Sequence, residues 1–108
     1  MRLKMAGNQG SPIVFELKEG DNLIGRLDAA DKVHPEIDLE PYDFDAKVSR
    51  RHALISRKGS IATVEDLGSL NGTFVNRSLR LERGVRYELR PGDELLVGRV
   101  IFKFENAP

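Results

Sequence analysis

Apolar and polar residues alternate in short bursts along this chain. In Ile13-Val14-Phe15-Glu16-Leu17-Lys18, residues Ile13, Phe15 and Leu17 share one face, the period of two expected of a strand with one buried side. Glu19-Gly20-Asp21-Asn22 then supplies a turn. The alternation recurs in Val85-Arg86-Tyr87-Glu88-Leu89-Arg90 and in Phe102-Lys103-Phe104-Glu105, with Arg, Lys and Glu on the wet face, and predicts two more one-sided strands. Arg83-Gly84, Arg90-Pro91-Gly92-Asp93 and Val97-Gly98-Arg99 punctuate the C-terminal third. Breaks every eight to twelve residues or so mark successive short antiparallel strands rather than helices. His52 to Ser56 and Ser60 to Glu65 flank Arg57-Lys58-Gly59 as the arms of a hairpin. No long window carries a helical apolar stripe free of Gly and Pro. So many one-sided strands are buried most simply by two facing sheets, so the fold class is an all-β sandwich.

One stretch departs from this pattern. Residues 27 to 46 hold seven acids (Asp28, Asp31, Glu36, Asp38, Glu40, Asp43 and Asp45) against the single base Lys32, a local charge of −6. The whole chain is neutral, with 17 Lys+Arg and 17 Asp+Glu, so the remainder carries +6. Pro35 and Pro41 interrupt the same stretch, which therefore reads as a long loop with at most one short strand, at Glu36 to Leu39.

The 108 residues allow one compact domain, residues 1 to 108 with a core from about 10 to 105. Apolar residues at 40% and charged residues at 31% can bury a core and argue against a disordered tail. Zero net charge speaks against nucleic-acid binding through bulk positive charge. The apolar runs are too short for a membrane span, and no signal-peptide pattern opens the chain. With no cysteine and only His34 and His52, neither thiolate ligands nor an all-protein zinc cage is expected. The expectation is a cytoplasmic protein with no cofactor, no metal, no nucleic acid and no membrane partner.

Candidate chemistry lies at loop ends. Ser49-Arg50-Arg51-His52 and Gly68-Ser69-Leu70-Asn71-Gly72-Thr73 fall beside predicted strands, and loops at one end of a sandwich cluster in space, which brings Gly25-Arg26, Ser49-Arg50 and Asn71-Gly72 together. Two guanidiniums, a hydroxyl and a carboxamide suit a phosphate: Arg gives planar charged donors, and Ser and Asn add short directional ones. None of these motifs contributes a competing carboxylate.

Taken in order, Gly25-Arg26, Ser49 to His52, Asn71-Gly72-Thr73-Phe74-Val75-Asn76, then Gly92-Asp93 and Gly98, resemble a forkhead-associated domain over about residues 10 to 105. The resemblance implies an eleven-stranded antiparallel β-sandwich whose apical loops bind phosphothreonine peptides, a family of Arg-cluster readers. It implies phosphopeptide-binding roles for Arg26, Ser49, Arg50 and Asn71, the last on the peptide backbone. It also implies structural support from Gly25, His52 and Gly72. The partners implied are phosphothreonine proteins made by a Ser/Thr kinase. Many members carry Ser or Thr where this chain has Leu70, which removes a hydroxyl donor. The acidic loop is expected to lean away from a bound phosphate and to favour basic residues near it.

Rival classes remain beside this one. Ser49, His52 and Asp66 are the residue types of a hydrolase triad, although Ser49 lacks a Gly-x-Ser-x-Gly elbow. Gly68 to Gly72 lacks the Gly-Lys-Ser/Thr end of a Walker loop, and the acidic loop lacks calcium-hand spacing. Within the same fold, the alternative is an interaction scaffold that does not depend on phosphate.

Overall fold

The computed structural model describes residues 1–5 and 11–106. Of the span expected to form one domain, residues 6–10 and 107–108 lie outside the described residues. Among those described, eleven strands form two sheets. The first sheet orders β2 (Ile13–Glu16), β1 (Arg2–Met5), β11 (Val100–Glu105), β10 (Glu94–Val97), β7 (Thr73–Val75) and β8 (Leu79–Arg80). The second orders β4 (Ile37–Asp38), β3 (Gly20–Gly25), β5 (Arg51–Lys58), β6 (Ile61–Asp66) and β9 (Tyr87–Glu88). The expected eleven-stranded sandwich is therefore the fold. Strand pairs are antiparallel except β3 with β4, because the acidic loop between them is long enough for a crossover connection. No described helix is long and apolar enough to cross a membrane.

The alternation read from the sequence is the burial pattern. Along β11, Val100, Phe102 and Phe104 are buried while Ile101 and Lys103 are exposed. Along β6, Ala62, Val64 and Asp66 point inward. Fully burying one such large apolar side chain contributes about 1.5–3 kcal/mol. Phe15 meets Phe102 edge-on at 6.1 Å and Tyr42 at 6.2 Å, tying β2 to both the core and the acidic loop. Ahead of the first alternating stretch, Arg2–Met5 adds a strand between β2 and β11 and buries Leu3 completely.

Two elements differ from the sequence expectation. In Val85 to Arg90, the strand is shortened to Tyr87–Glu88, with the Leu89 N–H also bonded to the Ala62 carbonyl of β6. Val85 is 54% exposed, its N–H bonded to the Glu82 carbonyl in a turn. The local turn bond outcompetes the ladder there. The turn expected at Glu19 to Asn22 is shorter than expected, because β3 begins at Gly20. Buried Asn22 replaces the missing backbone bonds: its Oδ1 accepts from Lys18 N–H, and its Nδ2 donates to the Lys18, Gly20 and Ile55 carbonyls.

The acidic stretch is mostly loop, with β4 falling inside the predicted Glu36 to Leu39 segment and a single 3₁₀ turn at Glu40–Tyr42. It is anchored from below by Val33, Ile37 and Leu39, all buried. Registers Gly25↔Arg51 and Ala53↔Asp66 set the end of β3, the start of β5 and the end of β6 side by side. The loops carrying Arg26, Ser49 and Asn71 therefore emerge from one end of the sandwich.

Candidate functional site

The loop cluster is built on a close backbone approach. At the β3–β5 bulge between Ile24 and Gly25, a Cβ on Gly25 would lie 1.8 Å from the Arg50 carbonyl oxygen. No side chain fits there. The next residue's N–H, on Arg26, donates to that same carbonyl at 3.1 Å. Arg26 and Arg50 are thereby locked beside each other by main chain.

His52 supplies the second tie. It is fully buried; its Nδ1 accepts from the Ser49 N–H at 3.0 Å, so the proton sits on Nε2, which donates to the Gly72 carbonyl at 2.8 Å. One imidazole thus links the Ser49 loop to the Asn71–Gly72 loop. Burial, only partly offset by the Gly72 carbonyl and the Asp66 and Asp43 charges, lowers its pKa below the ordinary 6.5. The neutral ring is the form that makes both bonds.

The 67–72 loop has its own frame, centred on buried Asp66. Burial pushes this carboxyl up, but Ser69 Oγ at 2.5 Å, Thr73 Oγ1 at 2.7 Å and the Ser69 and Gly68 N–H groups outweigh it. Its pKa falls below the ordinary 3.8. Ser69 Oγ also accepts from the Gly72 N–H at 3.0 Å, and Gly72 holds φ of +89°, a left-handed conformation that disfavours any side chain. Sequence reasoning missed this frame. Its signal was Asp66-Leu67-Gly68-Ser69, an Asp followed by donors two and three residues on, the spacing of an Asx turn.

The four residues expected to face a ligand lie in one connected cluster. Ser49 Oγ accepts from the Leu70 N–H at 3.2 Å, which leaves its own O–H available to donate. Asn71 Nδ2 donates to the Lys47 carbonyl at 3.0 Å, so this amide braces the neighbouring loop with one end. Arg26 donates from Nε to the Val48 carbonyl at 2.6 Å. The structure does not assemble the triad: both His52 nitrogens are occupied by backbone, and the Asp66 carboxylate faces Ser69 and Thr73.

One expectation is corrected here. The acidic loop does not lean away from these arginines, and the cluster does contain competing carboxylates. Arg50 pairs with Asp28 at 2.7 Å and Asp31 at 2.6 Å, while Arg26 lies 3.8 Å from Glu40 and 3.7 Å from Asp43. Sequence separation hid this. The reciprocal Asp28–Val33 backbone bonds fold residues 28–33 into a tight turn, with Asp28 Oδ1 accepting the Asp31 N–H. That turn presents both carboxylates to Arg50. Asp43 is nearly buried and accepts the Lys47 and Val48 N–H groups, so it also shapes the Ser49 loop.

A β-sandwich with guanidinium, hydroxyl and amide groups gathered on loops at one end, and a buried imidazole bracing them from behind, is a loop-based binding module. The chain belongs to the FHA domain family, whose model matches residues 22–98. It is 40% identical over 80 residues to protein FraH of Nostoc sp., covering 71% of this chain and 27% of that protein. With an oxoglutarate dehydrogenase inhibitor of Corynebacterium jeikeium it shares 36% identity over 110 residues, 94% of this chain and 72% of the relative. It thus spans about a quarter of the Nostoc relative and under three quarters of the corynebacterial one. A solved structure from a study of phosphothreonine-dependent FHA domain interactions superposes with a TM-score of 0.76 at 30% identity, over 100% of this chain and 99% of that one.

Proposed function

We propose that this domain is a phosphothreonine-dependent protein-binding module, recruiting partners after a Ser/Thr kinase has modified them. The observation that carries this reading is the state of Arg50. Its guanidinium already holds two carboxylates of its own chain, at 2.6 and 2.7 Å, and the neighbouring residue in sequence, Ser49, keeps its O–H available to donate. This is an anion receptor with weak anions in it. A phosphate of charge about −1.5 to −2 with three acceptor oxygens competes well against single carboxylates. In this reading Arg26 and Arg50 neutralise the phosphate, Ser49 donates a further bond, and Asn71 offers its free carboxamide oxygen to peptide backbone. Gly25, His52 and Gly72 hold the loops.

The relatives point the same way: one related FHA structure comes from work on phosphothreonine-dependent interactions, and another relative is named as an enzyme inhibitor. Calorimetry with a phosphothreonine peptide and its unphosphorylated twin tests the proposal. The phosphopeptide is expected to bind near 1 μM, about −8 kcal/mol, and the twin not measurably. Equal binding of the two would leave a phosphate-independent scaffold as the correct reading.

A further inference from the structure

Behind the loop that carries Asn71 lies a second basic feature with no role in the site above. Arg80 and Arg83 line a shallow pocket of about 410 Å³ together with Gly68, Ser69, Glu82 and Asp66. Among the described residues, neither guanidinium forms an ion pair or donates a hydrogen bond. The two acids in the lining leave them free. Glu82 lies outside ion-pair distance of both, and the Asp66 carboxylate is engaged by Ser69, Thr73 and two backbone N–H groups.

Both arginines are nevertheless held in place. A Cβ on Gly68 would lie 3.1 Å from Arg83 Nε and Cζ, and one on Gly72 would lie 3.0 Å from Arg80 Nε and 3.2 Å from its Cζ. Each guanidinium thus packs on a bare glycine at one end of the same loop. Arg80 also sits 5.7 Å above the Phe74 ring, a cation–π arrangement. Backbone bonds from Leu81 N–H to the Thr73 carbonyl and from Gly84 N–H to the Asp66 carbonyl pin the segment that carries them. Two exposed, pre-positioned planar cations with no ion-pair partner among the described residues form a receptor for an anionic group.

The same loop is shared with the phosphate-facing cluster. Leu70, 85% exposed, bonds through its N–H to Ser49 Oγ on one side, while Gly68 and Gly72 support the arginines on the other. We infer that Arg80 and Arg83 form a second anion subsite, which takes a carboxylate or a second phosphate from the peptide whose phosphothreonine sits at Ser49. This rests on the phosphopeptide reading and adds a selectivity that the acidic loop alone would oppose.

The test uses fluorescence anisotropy on the intact protein with a phosphothreonine peptide of neutral flanks. Derivatives carry one Asp, or one phosphoserine, scanned through the flanking positions. At one position the wild type gains about threefold to tenfold in affinity from Asp, and more from phosphoserine. The Arg80→Gln/Arg83→Gln variant loses that gain yet binds the neutral phosphopeptide as wild type does, which also shows that it is folded. Arg83→Glu, an independent variant, turns the preference at that position from Asp to Lys. A gain from phosphoserine alone makes phosphate the ligand; equal gains make it either anion. If no position shows a gain, or the gain survives both variants, the subsite is refuted while the phosphothreonine reading stands. If the neutral phosphopeptide itself does not bind, both fall together.

Discussion

At the residue scale, the site separates groups that touch a ligand from groups that hold them. Ser49→Ala removes a hydroxyl that is free to donate to a ligand but leaves its backbone bond to His52 intact. It is expected to weaken phosphopeptide binding by about 1.5–3 kcal/mol with little change in melting temperature. Calorimetry paired with thermal melts checks this, and unaltered affinity would remove Ser49 from the site. His52 is the opposite case. His52→Ala orphans the Ser49 N–H and the Gly72 carbonyl, at a cost of about 1–3 kcal/mol for each group left without a partner. The melting temperature should therefore fall by about 8 °C or more, at about 4–8 °C per kcal/mol for a domain of this size.

His52 also sets a pH dependence whose sign is fixed by burial. Its folded pKa lies below 6.5, so between the folded value and 6.5 the unfolded chain binds more protons. Stability from the neutral ring is complete above 6.5 and is lost as pH falls towards the folded value. Asp66, also depressed, acts in a separate window: its contribution is present above 3.8 and lost as pH falls through its folded pKa. Urea unfolding should thus show a decline beginning just below about pH 6.5 that is missing in His52→Ala. A wild-type profile flat through that range would contradict it.

At the scale of elements, the acidic loop is a built part of the site and not only a solvated insertion. Val33, Ile37 and Leu39 fix its underside in the core, and the turn at 28–33 aims two carboxylates at Arg50. A ligand phosphate must displace them. Exposed pairs are worth about 0.2–1 kcal/mol each, so Asp28→Asn/Asp31→Asn should tighten phosphopeptide binding by roughly 2- to 30-fold. The advantage should shrink at high salt, where the wild-type pairs are already screened. Titrations of both proteins at low and high salt decide it; weaker binding by the double variant would mean that the two acids position Arg50 more than they compete for it. Element boundaries show the same lesson in reverse. Tyr87 and Leu89 follow the alternation, while Val85 does not, because its N–H is taken by the Glu82 carbonyl in a turn.

At the scale of the whole molecule, the two sheets meet through Phe102, Phe104, Leu3, Ile24, Ile55 and Leu95, all at most 1% exposed. Phe102 is fully buried and meets Phe15 in an edge-type contact. Phe102→Ala should cost about 3–5 kcal/mol of stability through lost transfer energy and the cavity left behind. That is a large part of the total stability of a domain this size. Denaturant titration reads it directly, and a loss under about 1 kcal/mol would show that the core collapses to fill the space.

Strand alternation in residues 13–18 and 102–105, the break at Gly98 and the hairpin around Gly59 were legible in the sequence because each depends on neighbours within a few residues. So was the resemblance of Gly25-Arg26, Ser49 to His52 and Asn71-Gly72 to FHA loops, since each motif is a local backbone requirement. Side-chain partners across loops were not. The pairing of Arg50 with Asp28 and Asp31, the bridging of two loops by His52, and the placing of Arg80 and Arg83 on Gly68 and Gly72 all join residues from separate segments. Period-two patterning selects the strands and their inward faces, and with them the sandwich. Which charges meet at its end depends on how long loops close over the sheets, and that is decided only when the packed core fixes where each loop begins and ends.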